Sequence, residues 1–382
     1  MSVSLEKTQP LSCDMFCRVI DNFGDAGIAW RLAQSLTREN GWQVRLIIDD
    51  RKTLAAMVPE VKIDTEPQTV QSIAIDAWEN ALVGAPADVV IELFSCFLPE
   101  DYEAAIDAAR NAETPKNPVV LALDYLTAER YAEESNGLQS PHPRYGYPKT
   151  FLFPGFSEKT CGVIYEAKLA DKVRLFRESD RREEVLKSFG ADADHPFTLF
   201  FFTYPQPVID ELALALVNDK RPIQMLCAPG AATEKLVSKL EALGNNDHIR
   251  LVRMPMVPQA EFDEVLMSCD AALVRGEDST MRAQLLGVPL IWMLYPQEED
   301  THLVKLGAFS KIYTEALPCE ARKPWLAVSE WINGKPDAQS AWSAWRDAFD
   351  GMTEGAKMWQ ETLLSRTSLT QRLTQIVLKR LK

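Results

Sequence analysis

Met15-Phe16-Cys17-Arg18-Val19-Ile20-Asp21-Asn22-Phe23-Gly24-Asp25-Ala26-Gly27-Ile28 reads as a short buried strand that passes through a glycine-bearing turn straight into a helix. The helix is announced by Ile28, Trp30, Leu32, Ala33 and Leu36, which fall at helical spacing. Strand, glycine turn, helix is where open α/β sheets place their chemistry. This turn carries Asp21 and Asp25 and no basic residue. It reads less as a cradle for phosphate than as a place to take a proton.

Outward from that turn, the first half of the chain alternates. Strands are expected at 14–20, 43–48, 88–93 and 118–123, and helices at 27–39, 51–57, 100–111 and 127–134. Alternation of this kind predicts a parallel sheet wrapped by helices. From 140 to 156, proline, glycine and aromatics replace the periodicity, which predicts a long loop or a crossing between domains. A second series follows, with strands at 196–203, 222–227, 249–253, 271–274 and 289–294, and helices at 208–217, 232–243, 259–268, 279–286 and 299–308. Beyond 325 only helices are expected, the last an amphipathic one over 358–381 with a stripe of Leu363, Leu364, Leu369, Leu373, Ile376, Val377 and Leu381. The expected domains are 1–175, 176–355 and a C-terminal helix over 356–382 that packs back on the first domain. Two doubly wound domains whose strand ends face a central cleft serve nucleotide-sugar glycosyltransferases and periplasmic binding proteins.

Composition narrows the choice. A chain of 382 residues with 46% hydrophobic and 25% charged residues suits two ordinary globular domains. No apolar run approaches the roughly 20 residues that span a bilayer, and residues 1–10 hold Glu6 and Lys7 without the apolar core of a secretory signal. A cytoplasmic protein is expected, which disfavours the periplasmic reading. The formal charge of −14 argues against nucleic acid or an anionic membrane as partner and is compatible with a cationic acceptor. Seven scattered cysteines and four histidines show no ligand spacing, so no metal is expected.

A second constellation mirrors the first. The strand 271–274 ends in Arg275-Gly276-Glu277-Asp278-Ser279, and a helix follows through Met281, Leu285 and Leu286. Asp278 or Ser279 is a natural N-cap, and free backbone N–H groups there would receive a phosphate, with Arg275 adding donors. Glu277 and Asp278 should turn away from that anion, toward a ribose or sugar hydroxyl; an ordinary capping sequence with a surface ion pair reads equally well. Upstream, Gln259 could read a pyrimidine edge and Phe262 could stack on a base or belong to the core. Tyr204 and Tyr295 end two strands of the same half. A Walker loop and a G-x-G-x-x-G fingerprint are both missing, which disfavours a kinase or a dehydrogenase.

Asp21-Asn22-Phe23-Gly24-Asp25 with Gly27 and Trp30-Arg31-Leu32-Ala33, Ser140-Pro141-His142-Pro143, Phe153-Pro154-Gly155-Phe156, Pro258-Gln259 with Phe262-Asp263, Arg275 to Ser279 with Arg282-Ala283-Gln284, and Tyr295-Pro296-Gln297 together resemble the EarP family. These are the protein-arginine rhamnosyltransferases that modify bacterial translation elongation factor P. The resemblance runs through nearly the whole chain, in order. It implies a GT-B fold of two Rossmann-like domains. It also implies a dTDP-β-L-rhamnose donor, inversion at the anomeric carbon, no metal or other cofactor, and elongation factor P as the acceptor, activated for translating polyproline stretches. By the same resemblance Asp25 is the general base, Glu277 is a second essential residue and Asp21 is an acidic partner. Asn22, Phe23, Gly24, Phe202, Tyr204, Gln259, Phe262, Arg275, Gly276, Glu277, Asp278, Ser279 and Tyr295 line the donor site.

The chemistry of the residues agrees with that picture. A guanidinium is a poor nucleophile with a pKa above about 12, so Asp25 is expected to accept its proton late, as the N–C bond forms. Asp21 would hold the other guanidinium nitrogens. The leaving diphosphate would rest on the helix end at Ser279 with Arg275. Two rival readings are a GT-B transferase with another acceptor and a nucleotide-sugar-binding protein without turnover. The Asp21/Asp25 pair disfavours the second, since a binder has no use for a base.

Overall fold

The computed structural model describes residues 10–21, 23–82, 84–335 and 339–381, so Asn22 and residues 1–9 lie outside the described part. The chain divides into two compact units. Unit 1 comprises Met1–Leu126, Arg130–Glu166 and Thr367–Lys382, and unit 2 comprises Thr127–Glu129 and Ala167–Arg366.

In unit 1 the order is β1 (Ser12–Cys17), α1 (Phe23–Asn40), β2 (Gln43–Ile48), α2 (Arg51–Met57), β3 (Gln68–Val70), β4 (Ile73–Asp76), β5 (Val89–Leu93), α3 (Glu100–Arg110), β6 (Val119–Leu123), α4 (Arg130–Ser135), β7 (Gln139–Pro141) and β8 (Pro148–Leu152). The eight-stranded sheet runs β3-β4-β2-β1-β5-β6-β8-β7. Its two edge strands pair antiparallel and the rest pair parallel. Without those edges the order is that of a Rossmann sheet, with its topological switch between β1 and β5. The segments Val-Val-Ile-Glu-Leu of β5 and Val-Val-Leu-Ala-Leu of β6 are the near-continuous apolar runs that a strand covered on both faces requires. One face packs with α1 into a large core around Met15, Trp30, Leu36 and Ile91, and the other packs with α3 around Phe16, Val90 and Tyr102.

In unit 2 the order is α5 (Leu169–Arg177), α6 (Arg181–Ser188), β9 (Thr198–Phe201), α7 (Val208–Asp219), β10 (Ile223–Cys227), α8 (Ala231–Leu243), β11 (Ile249–Arg253), α9 (Gln259–Ser268), β12 (Ala271–Arg275), α10 (Glu277–Leu285), β13 (Leu290–Met293), α11 (Thr301–Tyr313), α12 (Cys319–Ile332), α13 (Gln339–Asp347) and α14 (Phe349–Leu364). Its five strands are all parallel in the order β11-β10-β9-β12-β13, which places the switch between β9 and β12.

Three expectations need correction. The stretch 140–156 is largely an edge hairpin, β7 against β8, with β8 parallel to β6. Its prolines hide the strand period, and an edge is where a sheet tolerates them. The first boundary falls between Glu166 and Ala167 rather than at 175, because α5 is tied into unit 2 by Lys172 on Asp263 and by Arg177 on the Leu286 carbonyl. The single C-terminal helix is two helices. α14 stays with unit 2, where the Trp359 indole donates to Gln284 and the Gln360 amide to the Leu285 carbonyl. The chain then restarts at Ser368, which forms a capping box with Gln371, as α15 (Leu369–Arg380). Leu369, Leu373 and Val377 of α15 lie in the unit 1 core. The stripe read as one face serves two cores.

Candidate active site

In unit 1 the chain leaves the sheet early. β1 ends at Cys17, and the N–H groups that a longer strand would give to a neighbour go to carboxylates instead. Val19 donates to Asp49 Oδ1, and Ile20 and Asp21 both donate to Asp25 Oδ2, each at 2.8 Å. The strand expected to reach Ile20 therefore stops short, and Ile20 is 73% exposed. Asp25, in the first turn of α1, is only 1% exposed. Its side chain reaches back across the turn, where two charge-assisted bonds and the positive helix end favour it. The Gly24 N–H donates to the Asp21 carbonyl at 2.8 Å, and a Cβ at Gly24 would stand 2.9 Å from Asp21 Oδ2. The glycine is what lets the Asp21 carboxylate lie over the turn. Phe23 is half-buried against the unit 1 core. Burial, and then the nearby Asp25 charge, push the Cys17 thiol well above its ordinary range, so Asp25 has a neutral neighbour.

In unit 2 the second turn takes another route. β12 ends at Arg275, and Gly276 holds φ 69° and ψ 174° as the residue before α10, with no side-chain cap. The expectation that Asp278 or Ser279 caps this helix is corrected: both lie inside its first turn, because the sharp exit from β12 needs a backbone that only glycine adopts readily. The first N–H groups of α10 thus point out of the helix end without a side-chain cap, and Ser279 is half-buried beside them. The two carboxylates have partners to the side. Asp278 Oδ2 accepts from Gln259 Nε2 at 3.1 Å, and Lys305 Nζ lies 3.4 Å from Glu277 Oε1.

Aromatics gather at the same sheet end. The Arg275 guanidinium lies 4.6 Å from the Phe202 ring centroid and 4.5 Å from that of Tyr204. Tyr204 is buried and meets Tyr295 edge-on at 5.2 Å, while Tyr295 itself is 64% exposed. Phe262 is half-buried, with its edge on Phe200 at 5.5 Å. Phe202 and Tyr204 follow β9, Arg275 ends β12 and Gly276 to Ser279 follow it, on the two strands that flank the switch, and Tyr295 follows β13. Asp21, Phe23, Gly24 and Asp25 sit together at the switch of unit 1.

The sequence reading missed the frame behind these residues. Asp263 of α9 grips Arg282 of α10 through two bonds, Nε to Oδ1 at 2.8 Å and a terminal nitrogen to Oδ2 at 2.6 Å, and both side chains are almost fully buried. Lys172 adds a contact to Asp263 at 2.9 Å. This pair fixes the helix that carries Gln259 and Phe262 against the helix that opens with Glu277. Asp263 and Arg282 stand in the motif stretches, but nothing in their spacing shows that they pair. Among the described residues, no group of three His, Cys, Asp or Glu side chains could hold a metal ion, and no helix is long and apolar enough to cross a membrane.

Two sheets of Rossmann order, each with a chemically distinct turn at its switch point, are the architecture of the GT-B glycosyltransferases. The structure is similar to one described as the structural basis for EarP-mediated arginine glycosylation of translation elongation factor EF-P, with a TM-score of 0.64 at 23% identity over 97% of this chain and 99% of that one. It is also similar to MurG from Acinetobacter baumannii, with a TM-score of 0.51 at 13% identity over 97% and 100% of the two chains. The chain belongs to the family described as "Elongation-Factor P (EF-P) rhamnosyltransferase EarP", which it matches over residues 13–378. A protein-arginine rhamnosyltransferase from Pseudomonas putida is 36% identical over 91% of this chain and 93% of its own length.

Proposed function

We propose that this protein transfers L-rhamnose from dTDP-β-L-rhamnose to an arginine side chain of elongation factor P, with inversion at the anomeric carbon, in the cytoplasm. Modification would activate the factor for translation of polyproline stretches. The observation that carries the reading is the buried Asp25 carboxylate, held by two backbone N–H groups at the switch point of a sheet, in a chain of this family. The names of its relatives support the choice of acceptor and sugar.

In this reading a guanidinium nitrogen of the acceptor attacks C1 of the sugar, and the bond from C1 to the diphosphate oxygen breaks. The attacking nitrogen gives its proton to Asp25, and the product guanidinium keeps its charge. Oδ2 is occupied by the turn, so Oδ1 is the oxygen assigned to that proton. Asp21 holds the remaining guanidinium nitrogens, which localises the lone pair on the attacking one. Phe23 and Gly24 line the donor site, and Asn22 is assigned to it by the family resemblance alone. Phe262, Tyr204, Tyr295 and Gln259 hold the nucleoside, with Phe202 steadying Arg275. The backbone of Gly276 to Ser279, the Ser279 hydroxyl and Arg275 receive the diphosphate as its charge develops. Glu277 and Asp278 serve sugar or ribose hydroxyls. No step is assigned to a metal or other cofactor.

The test is mass spectrometry of purified elongation factor P after incubation with this protein and dTDP-β-L-rhamnose. A gain of one deoxyhexose on one arginine, with α-configuration by NMR, is the expected result. An unmodified factor in the presence of tightly bound donor would instead assign the protein another acceptor.

A further inference from the structure

The helix end assigned to the diphosphate opens with Glu277-Asp278. A carboxylate at that place favours the empty helix end and opposes a second anion arriving there. Gln259 turns the Asp278 carboxylate aside with a neutral amide. At Glu277 the structure provides a cation. Lys305 Nζ is 3.4 Å from Oε1, with the two side chains 24% and 13% exposed, and the ammonium also lies 5.6 Å from the face of Trp292 at the end of β13. A half-desolvated pair of this kind is worth more than one in open water.

The element that delivers Lys305 is built with care. Glu299 and Asp300 hold φ of 56° and 55°, two successive left-handed positions without glycine. His302 Nδ1 then accepts the Gln297 N–H at 3.2 Å, and the Thr301 hydroxyl donates to the Glu298 carbonyl at 2.9 Å. That corner ends the Tyr295 segment and starts α11, on which Lys305 lies one turn later. Strained backbone of this sort persists where the surroundings over-determine it, and functional sites are where it gathers.

We propose that Lys305 is a positioning residue of the donor site. It holds the Glu277 carboxylate to one side and cancels its charge, so that the end of α10 can accept a nucleoside diphosphate. The proposal rests on the donor assignment given above. Nothing in the local sequence around Lys305 marks it, because its partner lies far away in the chain.

The experiment is calorimetric titration of dTDP into the full-length protein and into four variants: Lys305→Met, Lys305→Arg, Glu277→Gln and the double variant Lys305→Met/Glu277→Gln. Methionine keeps the packing of the lysine stem on Trp292, and thermal melting checks that each variant is folded. Lys305→Met should weaken dTDP binding about tenfold, the order expected for one uncompensated charge beside the diphosphate. Lys305→Arg should stay within about twofold of wild type. The decisive comparison is the double variant. With Glu277 already neutral, removing Lys305 should cost less than about threefold, since there is no charge left to cancel. If Lys305→Met binds dTDP as the wild type does, or if its loss is equally large in the Glu277→Gln background, the proposal is overturned while the donor assignment stands. A wild-type protein that does not bind dTDP overturns both.

Discussion

The β1–α1 turn of unit 1 and the β12–α10 turn of unit 2 each flank the switch point of a Rossmann-ordered sheet, one after its first strand and the other after its fourth, yet they are built to opposite ends. In the first, a carboxylate from inside the helix reaches back and takes up two N–H groups of the turn. Those donors are no longer offered to an anion, and what remains is a buried acid group. In the second, Gly276 makes the corner with its backbone alone, and the first N–H groups of the helix meet no side-chain cap. Its carboxylates are drawn sideways by Gln259 and Lys305. The same strand–turn–helix scaffold therefore becomes a proton acceptor or an anion receptor according to where the local carboxylates point.

The strongest way to break this contrast is Asp25→Asn. The amide oxygen can still accept the Ile20 and Asp21 N–H groups, so the turn should be kept, with a loss of about 1–2 kcal/mol for the charge that strengthened those bonds. General-base catalysis supplies roughly 10²–10⁴-fold, and transfer followed by mass spectrometry should slow by that order while dTDP binding is kept. Undiminished transfer by a folded variant would remove Asp25 from the chemistry and leave its two backbone bonds as a purely structural device.

The frame of the second turn should be costly in a different quantity. Asp263→Ala leaves the Arg282 guanidinium buried without its two-point partner, a change that typically costs about 3–5 kcal/mol. Urea unfolding should report that loss, whereas Asp25→Asn, which keeps both acceptor contacts, should lower stability by clearly less. A drop of less than about 1 kcal/mol would mean that water or another acceptor takes over the guanidinium and that the pair does not brace α9 against α10.

The two glycines sharpen the comparison further. Gly276 is there for its backbone: φ 69° with ψ 174° falls in a region open essentially to glycine, and a residue with a Cβ should be strained by about 1–3 kcal/mol. With alanine there the free protein should relax the corner, and binding must restore it, so Gly276→Ala is expected to weaken dTDP binding by up to about 5–150-fold, the strain that the bound form alone carries. Gly24 is there for space, since a Cβ would meet Asp21 Oδ2 at 2.9 Å. The end of a side chain can move aside, so Gly24→Ala should displace Asp21 and lower transfer without a comparable loss of donor affinity. Equal effects of the two substitutions on dTDP titration would erase the distinction.

How much of this was readable from the sequence follows from the range of the interactions. The central strands β1, β2, β5 and β6 and the five strands of unit 2 were legible because most are short apolar runs, whereas β4 and β8, also parallel, were not; both site turns were legible because their residues are neighbours in the chain. The β3–β4 hairpin was not, since its corner is Gln71-Ser72 at φ of 51° and 68° rather than a glycine or asparagine pair. Lys305 with Glu277 and Asp263 with Arg282 were invisible as pairs for a related reason. Ion pairs between distant residues leave no period and no spacing, and only the packing of α9, α10 and α11 brings them together. The early end of β1 belongs to the same class, because Arg18-Val19-Ile20 has strand composition and only Asp49 and Asp25 divert its N–H groups.

The β2–α2 junction, next to the acidic turn in the same sheet, supplies the ordinary case against which both turns can be measured. Asp50 caps α2 from outside the helix, accepting the Thr53 N–H at 3.0 Å and the Thr53 hydroxyl at 2.6 Å. Burial alone would raise its pKa, but the Thr53 hydroxyl and N–H, with the Lys52 N–H and charge, together outweigh it and hold the carboxyl below its usual value. With the folded value depressed, the unfolded chain binds more protons in the intervening range. The stabilisation is then fully present above the unfolded pKa of about 3.9 and is lost as pH falls through the folded one. Asp50→Ala should therefore cost about 1 kcal/mol in urea unfolding at pH 7, and the gap to wild type should narrow below about pH 4. Rhamnosyl transfer at pH 7 should be unchanged, because this cap neither stores a carboxylate nor frees a helix end. A gap that keeps its size on acidification would show that Asp50 acts by packing, and a fall in transfer would show that the acidic turn depends on its neighbour.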